Sequence, residues 1–361
     1  MSKPSATGVP CMVMRGGTSK GAYFLADDLP SDTDERDSLL LRIMGTPDPR
    51  QIDGIGGAHP LTSKVAIVGP DPTGRADIDY LFLQLGVDKA RVTDRQYCGN
   101  ILAGVGPFAL ERGLLVRDGD EASLSIHMLN FDSYAEATFP ISGGLPTYQG
   151  DTSISGVPGT AAAIRLTFTG LAGSATGALL PSGSVVDELG GATCTLLDNG
   201  MPVVVIRASD MGITGYESCS ELEANQGLRQ RLETIRVEAG AKMNLGDVTA
   251  TTVPKLTMVA SPREGGSLTT RTFIPHRCHE AIGVLGAVSV ATAALIPGST
   301  AFDLLGTVHE DTVVLEHPTG TMAAVVELGF GPDGTPLVKR AGIVRTARKL
   351  MDGIVYPRSY D

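Results

Sequence analysis

Residues Ala281 to Ile296 form an uncharged run of 16 residues, and few folds can accommodate it. A membrane-spanning helix needs about 20 predominantly apolar residues, and this run also includes Gly, Ser and Thr. It is read as a helix buried inside a protein core. A helix that is apolar all round must be enclosed on every side. The enclosing material has to come from the rest of the chain, and the rest of the chain is rich in strand-like segments.

Short apolar or alternating runs recur between turn residues. Val9 to Met14, Ala22 to Phe24, Lys64 to Val68, Ile78 to Leu85, Ser123 to Leu129, Tyr134 to Ile141 and Ile164 to Thr169 read as strands in the first half. Thr193 to Leu197, Val203 to Arg207, Lys255 to Ala260 and Leu268 to Ile274 read as strands in the second. A hairpin, Val313 to Glu316 with Met322 to Leu328, turns at Pro318-Thr319-Gly320. Helices are fewer. They are expected at 34–44 with Gly45 as the stop, at Gly99 to Arg112, at about 280–296 and at about 343–353. A further helix begins after a capping box of Ser220 and Glu223, with Leu222, Leu228, Leu232 and Ile235 on its apolar face. Many strands and few helices, two of them unusually apolar, give an α+β chain with each apolar helix inside a sheet layer.

At 361 residues, two domains are the default. The small, turn-rich stretch 170–190 is the crossover. Domain one is expected at 1–182, joined by a C-terminal helix in 340–361, and domain two at 183–339. Weak internal symmetry supports duplication, since Cys98-Gly99-Asn100 and Ile282-Gly283-Val284 each open a small-residue helix after strand-rich sequence.

Composition narrows the function. The net charge of −11 argues against nucleic acid as partner, because phosphates reward clustered Lys and Arg. An acidic chain can still take an acidic ligand if its few cations share one cleft. The five cysteines, scattered and without a C-x-x-C, fit a reducing compartment. No signal-peptide-like stretch opens the sequence, so a cytoplasmic protein without membrane partner is expected, with a homo-oligomer left open.

Several residues could carry chemistry. Lys64 stands at the mouth of an apolar strand, where desolvation turns a lysine into a base near neutral pH, although a strand-end lysine reaching solvent has the same sequence signature. Cys98 precedes an apolar helix, where free N–H groups favour thiolate or a bound anion; a buried inert cysteine is the plain alternative. The segment Arg15-Gly16-Gly17-Thr18-Ser19-Lys20-Gly21 suits a carboxylate but is not a P-loop. His276 and His279 lie three apart with no ligand set to complete them, so no metal site is expected. No hydrolase elbow and no dinucleotide fingerprint occur.

Taken together, Met14-Arg15-Gly16-Gly17-Thr18-Ser19-Lys20-Gly21, Thr62-Ser63-Lys64-Val65-Ala66 and Cys98-Gly99-Asn100 resemble the PrpF family. Asp198-Asn199-Gly200-Met201-Pro202, Asp210-Met211-Gly212-Ile213-Thr214-Gly215 and His279 extend the resemblance over nearly the whole chain. That family contains 2-methylaconitate isomerase, methylitaconate Δ-isomerase and 4-oxalomesaconate tautomerases. The resemblance implies a diaminopimelate-epimerase-like fold, with two pseudo-symmetric domains wrapping a central helix each. In diaminopimelate epimerase two cysteines work as acid and base; Cys98 matches the first, and the second position falls near Gly283, which has no thiol.

The resemblance therefore implies Lys64 as base, with Cys98 in an acid or supporting role. Arg15, Gly17, Ser19, Thr62, Ser63, Gly99 and Asn100 are implied substrate contacts, with Met201 and His279 from the second domain. The implied activity is a cofactor-independent tautomerisation or 1,3-proton shift on a small unsaturated tricarboxylate. The expected substrate is 4-oxalomesaconate, in gallate-type aromatic acid degradation. 2-Methylaconitate or methylitaconate isomerisation, or carboxylate binding without catalysis, are the alternatives.

Overall fold

The computed structural model describes residues 8–94, 98–130 and 132–359. The chain forms two compact units, Met1–Leu166 with Arg345–Asp361, and Thr167–Val344.

In the first unit the strands Ala347–Val355, Val9–Gly16, Ser19–Leu25, Lys64–Pro70, Ile78–Leu85, Glu121–Met128 and Ser133–Ser142 pair in that order. The pairings run antiparallel, antiparallel, parallel, antiparallel, parallel, antiparallel. In the second unit Asp187–Leu189, Ala192–Asp198, Pro202–Arg207, Lys255–Ala260, Leu268–Phe273, Thr312–His317 and Gly320–Phe330 follow the same alternation. A parallel step needs a long crossover, and each one here carries helix. The first unit uses Thr33–Met44, then Gly99–Leu102 followed by Val105–Glu111. The second uses Cys219–Ala224 with Gln226–Lys242, then Val284–Leu295. Each unit repeats one topology.

In both units the strands separate two kinds of helix by side-chain alternation. Val204, Ile206, Leu256 and Met258 pack with Leu228, Leu232 and Ile235 of the outer helix. Val203, Val205 and Val259 pack with Ala287, Val290 and Ala294 of the inner helix. All residues from Gly286 to Ala294 of that inner helix are buried, as its sequence requires. In the first unit Ala22, Phe24, Val65 and Ile67 pack with Leu40, Ile43 and Met44 of the outer helix. Lys64 and Ala66 therefore point to the opposite face.

Three expectations need correction. Residues 343–353 are not a C-terminal helix: Pro336–Arg345 and Ala347–Val355 are strands. The latter supplies the hydrogen-bonding partner of Val9–Gly16, which would otherwise keep an unpaired edge. Completing that edge overrides a helix-like spacing of apolar residues. The capping box is Ser218 with Glu221, two residues earlier than the spacing of Ser220 and Glu223 suggests, and Asn225 then caps the long helix separately. The helix after Cys98 is interrupted at Ala103-Gly104. Among the described residues no helix is long and apolar enough to cross a membrane.

Candidate active site

The first unit collects most of the predicted residues around the start of its inner helix. Cys98 is the N-cap residue of Gly99–Leu102 and is partly exposed. The hairpin of Val9–Gly16 and Ser19–Leu25 turns at Gly17 and Thr18, and this turn rests on Asn100. A Cβ on Gly16 would stand 2.2 Å from the Asn100 carbonyl oxygen, and one on Gly17 would stand 2.1 Å from Asn100 Oδ1. Gly17 also has φ +50, a conformation that costs other residues free energy. Both glycines leave room for Asn100, Gly16 for its backbone carbonyl and Gly17 for its side-chain amide.

Asn100 is fixed in orientation by its partners. Its Oδ1 accepts from Arg345 Nε at 3.2 Å, and its Nδ2 donates to Thr18 Oγ1 at 3.0 Å. Arg345 is only 6% exposed. Burial pulls its guanidinium down to about 10, partly offset by the neighbouring Cys98. Tyr23 Oη donates to the Ile101 carbonyl at 2.6 Å, tying the same helix start to the sheet. Burial, with Cys98 adding to it, pushes the hydroxyls of Tyr23 and Tyr80 well above the ordinary tyrosine value. The Tyr80 hydroxyl is buried and has no hydrogen-bond partner among the described residues.

Lys64 opens its strand and is 7% exposed, which answers the choice between burial and a solvent-reaching side chain. Its Nζ donates to Gln84 Oε1 at 2.6 Å and lies 5.1 Å from the centre of the Phe82 ring. Gln84 in turn donates to the carbonyls of Ser63 and Leu85 at 3.0 and 3.2 Å. Tyr80, Phe82 and Gln84 are alternate residues of one strand and so share a face. That strand presents a hydroxyl, a ring and an amide in a row toward the inner helix.

The remaining predicted contacts divide. Arg15 uses one terminal nitrogen on the Gly17 carbonyl and on the Thr346 carbonyl and hydroxyl, at 2.9 to 3.0 Å. Ser63 is fully buried and donates to Gln51 Oε1 at 2.7 Å. Thr62 donates to the His59 carbonyl at 3.1 Å. Arg15, Ser19 and Thr62 also line a pocket of about 540 Å³, walled on another side by segment 148–161. Met201 and His279 belong to the second unit. Met201 lies in the turn between Ala192–Asp198 and Pro202–Arg207, where its carbonyl accepts from Ser289 Oγ at 2.7 Å. His279 Nδ1 accepts from the Ala281 amide at 2.9 Å, and burial holds the ring below its usual value.

Sequence reasoning missed Gln84, Arg345 and Tyr80. Gln84 leaves a trace, a polar residue in register with the inward-facing Tyr80 and Phe82. Arg345 leaves none, because it enters from the far end of the chain. Gly283, the N-cap residue of the second unit's inner helix, holds the place that Cys98 holds in the first, which matches the expected second position. Away from this site, Asp71, Asp79 and His127 bring metal-ligand-type atoms within 4.8 Å of one another. Asp71 is already held by Thr73 and the Ala76 amide, and His127 by Asp79 and Asp132.

The PrpF protein family model matches residues 6–358. A protein of Novosphingobium sp. (strain KA1), named (4E)-oxalomesaconate Delta-isomerase, is 57% identical over 96% of this chain and 97% of its own. A Pseudomonas putida (strain KT2440) protein, named 4-oxalomesaconate tautomerase, is 54% identical over 97% of this chain and 96% of its own. The solved structure of a methylitaconate-delta-isomerase superposes with a TM-score of 0.89 at 34% identity, covering 98% of this chain and 96% of that one. Solved racemase and epimerase structures at 14% identity share the fold alone, which is α+β and diaminopimelate-epimerase-like, as expected.

Proposed function

The chain belongs to the PrpF family and is an isomerase, and from the geometry of its first unit we propose that it moves a proton on 4-oxalomesaconate. The observation that carries the mechanism is Lys64, a lysine buried to 7% exposure in a polar cradle at the start of an inward-facing strand position. Burying an ammonium is unfavourable unless it is partnered, and here the only hydrogen-bond partner among the described residues is the neutral Gln84 amide. Identities of 57% and 54% to proteins named for oxalomesaconate, against 34% to the methylitaconate enzyme, favour that substrate.

In the proposed reaction, Lys64 Nζ acts as the base that takes the proton from the carbon beside the ketone. The electrons of the C–H bond form a new C=C bond, and those of the C=O bond move to its oxygen. The enolate is stabilised by backbone N–H groups of Gly99 and Asn100. Cys98 or the newly formed Lys64 ammonium then delivers a proton to that oxygen, giving the enol, with no atom gained or lost. The step needs a base, a proton donor and anion stabilisation, and all three come from the chain. Arg15, Ser19, Thr62 and Ser63 belong to the carboxylate-holding wall, Ser63 through its grip on Gln51. The reaction belongs to the breakdown of gallate-type aromatic acids.

The test is an ultraviolet assay with freshly prepared keto 4-oxalomesaconate in deuterated buffer. Enol formation well above the buffer rate is the expected result, with deuterium entering the substrate carbon as the reverse step returns a solvent-exchanged proton to it. Conversion of 2-methylaconitate but not of 4-oxalomesaconate overturns the substrate. Binding of 4-oxalomesaconate without turnover or exchange overturns the enzyme reading in favour of a carboxylate binder.

A further inference from the structure

The five cysteines are scattered in the sequence, but the second unit brings two of them together. Cys219 is the first residue of the helix Cys219–Ala224. Cys278 follows the strand Leu268–Phe273, after a turn in which the Ile274 amide bonds the Arg277 carbonyl at 2.9 Å. The chain then runs back beside that strand, and the His279 amide bonds the Thr272 carbonyl at 2.7 Å. Glu223 stands one turn beyond Cys219, on the same helix face, and accepts from the Cys278 amide at 3.0 Å. Helix and returning segment are docked together, and both thiols reach one group. The His279 carbonyl oxygen accepts from Cys219 Sγ at 3.6 Å and from Cys278 Sγ at 3.9 Å.

The remaining cysteines are placed differently. Cys11 and Cys194 are fully enclosed, and burial pushes each thiol up to about 12, which leaves both inert. Cys98 belongs to the first unit. Cys219 is partly exposed, whereas Cys278 is 7% exposed. Burial raises the Cys278 thiol, and a hydrogen bond with the Cys219 thiol adds to the rise. A sulfur that solvent can reach, beside a second that is enclosed and protonated, suits oxidation of the first and resolution by the second.

We propose that Cys219 and Cys278 are an oxidation site that closes into a disulfide and displaces the segment carrying His279. With a peroxide as oxidant, the Cys219 sulfur attacks one peroxide oxygen and the O–O bond breaks. The thiol proton leaves with the departing hydroxide as water, and Cys219 becomes a sulfenic acid. The Cys278 sulfur then attacks the Cys219 sulfur, gives up its proton and expels the hydroxyl as a second water. Two thiols and one peroxide give one disulfide and two waters, with two electrons passing from sulfur to oxygen; a dithiol reverses the step.

The consequence follows from what the thiols hold. A disulfide brings its sulfurs to about 2.05 Å, so helix start and returning segment must shift toward each other. Both S–H donors to the His279 carbonyl are lost in the process. The His279 ring holds the Ala281 amide at 2.9 Å, and Gly283 caps the inner helix Val284–Leu295, so the disturbance reaches the approach to that helix. Formation of the bond is independent of the isomerase reading, and its effect on turnover rests on that reading through His279.

The experiment uses the full chain, reduced, freed of reductant and treated with a small excess of hydrogen peroxide. Digestion without reduction should yield the Cys219 and Cys278 peptides joined, lighter by two hydrogen atoms than the separate pair, and dithiothreitol should part them. Neither Cys219→Ser nor Cys278→Ser should give the link. Cys219→Ser keeps a hydroxyl donor at a partly exposed position, so it remains the usable control if Cys278→Ser fails to fold. In oxidised wild type, hydrogen exchange at the Ala281 amide should rise about tenfold, reversibly. Turnover of 4-oxalomesaconate should fall about tenfold further than in treated Cys219→Ser, which measures what oxidation of Cys98 contributes. Absence of the link, a link with Ala281 exchange unchanged, or turnover equal to that of treated Cys219→Ser overturns the proposal. A link with raised Ala281 exchange in a protein that converts no 4-oxalomesaconate even before oxidation upholds the switch and is the separate failure of the substrate reading.

Discussion

Gly17→Ala tests the junction on which the candidate site is built. At φ +50 an alanine costs about 1 kcal/mol relative to glycine. Its Cβ would also stand 2.1 Å from Asn100 Oδ1 and 2.7 Å from Asn100 Cγ. Van der Waals contact requires about 3.5 Å, so the Asn100 side chain must retreat by roughly 1 Å or more. That movement breaks its bonds with Arg345 and Thr18, at about 1 kcal/mol each. The expected destabilisation is therefore about 3 kcal/mol, of which only about 1 is conformational. A displacement of that size next to Cys98 should lower kcat by about 100-fold. Gly113→Ala is the control, with φ +69 and nothing within 4 Å of the added carbon. It should cost only the conformational ~1 kcal/mol and leave activity intact. Chemical denaturation and the ultraviolet assay measure both quantities. In the double variant Gly17→Ala with Asn100→Ala the obstruction is gone, so the stability losses should be less than additive by about 1–2 kcal/mol. Equal losses for Gly17→Ala and Gly113→Ala, with activity retained in both, would refute the close approach of turn and helix start.

Two further predictions concern single side chains. Gln84→Leu removes the acceptor of Lys64 Nζ at similar side-chain size, so kcat should fall about 10- to 100-fold with KM little changed; a loss confined to KM would contradict its positioning role. Glu316 is buried, which alone would raise its carboxyl, but bonds from Thr269 and from the amides of Arg263, Gly266 and Glu264 outweigh that and hold it below its usual 4.5. Its folded value lies below its unfolded one, so its stabilisation is complete above about pH 4.5 and is lost as pH falls through the folded value. Glu316→Gln should destabilise by about 1–3 kcal/mol at pH 7 and flatten the acid limb of the stability curve, as read by denaturation at a series of pH values.

The sequence made most strands legible because their burial alternates with period two or because both faces are covered. The inner helix at 284–295 was plain from its uncharged run. The helix predicted over 343–353 failed because Leu350 and Met351 are apolar yet remain exposed at 46% and 39%, on a strand placed there by the edge of Val9–Gly16. Pairing partners distant in sequence leave no local mark. The same reason hid Arg345 from the site, while Arg15, Lys64, Cys98 and Asn100 stood in compact motifs.

The central claim is the proposal that Lys64 performs the proton abstraction, with Cys98 in an acid or supporting role. The most direct measurement is deuterium incorporation into 4-oxalomesaconate, followed together with enol formation, for wild type, Lys64→Ala and Cys98→Ser. The account predicts rapid exchange and conversion by wild type, loss of both in Lys64→Ala with the folded state and tricarboxylate binding retained, and a smaller loss in Cys98→Ser. Exchange and conversion by Lys64→Ala at a rate near wild type would contradict it.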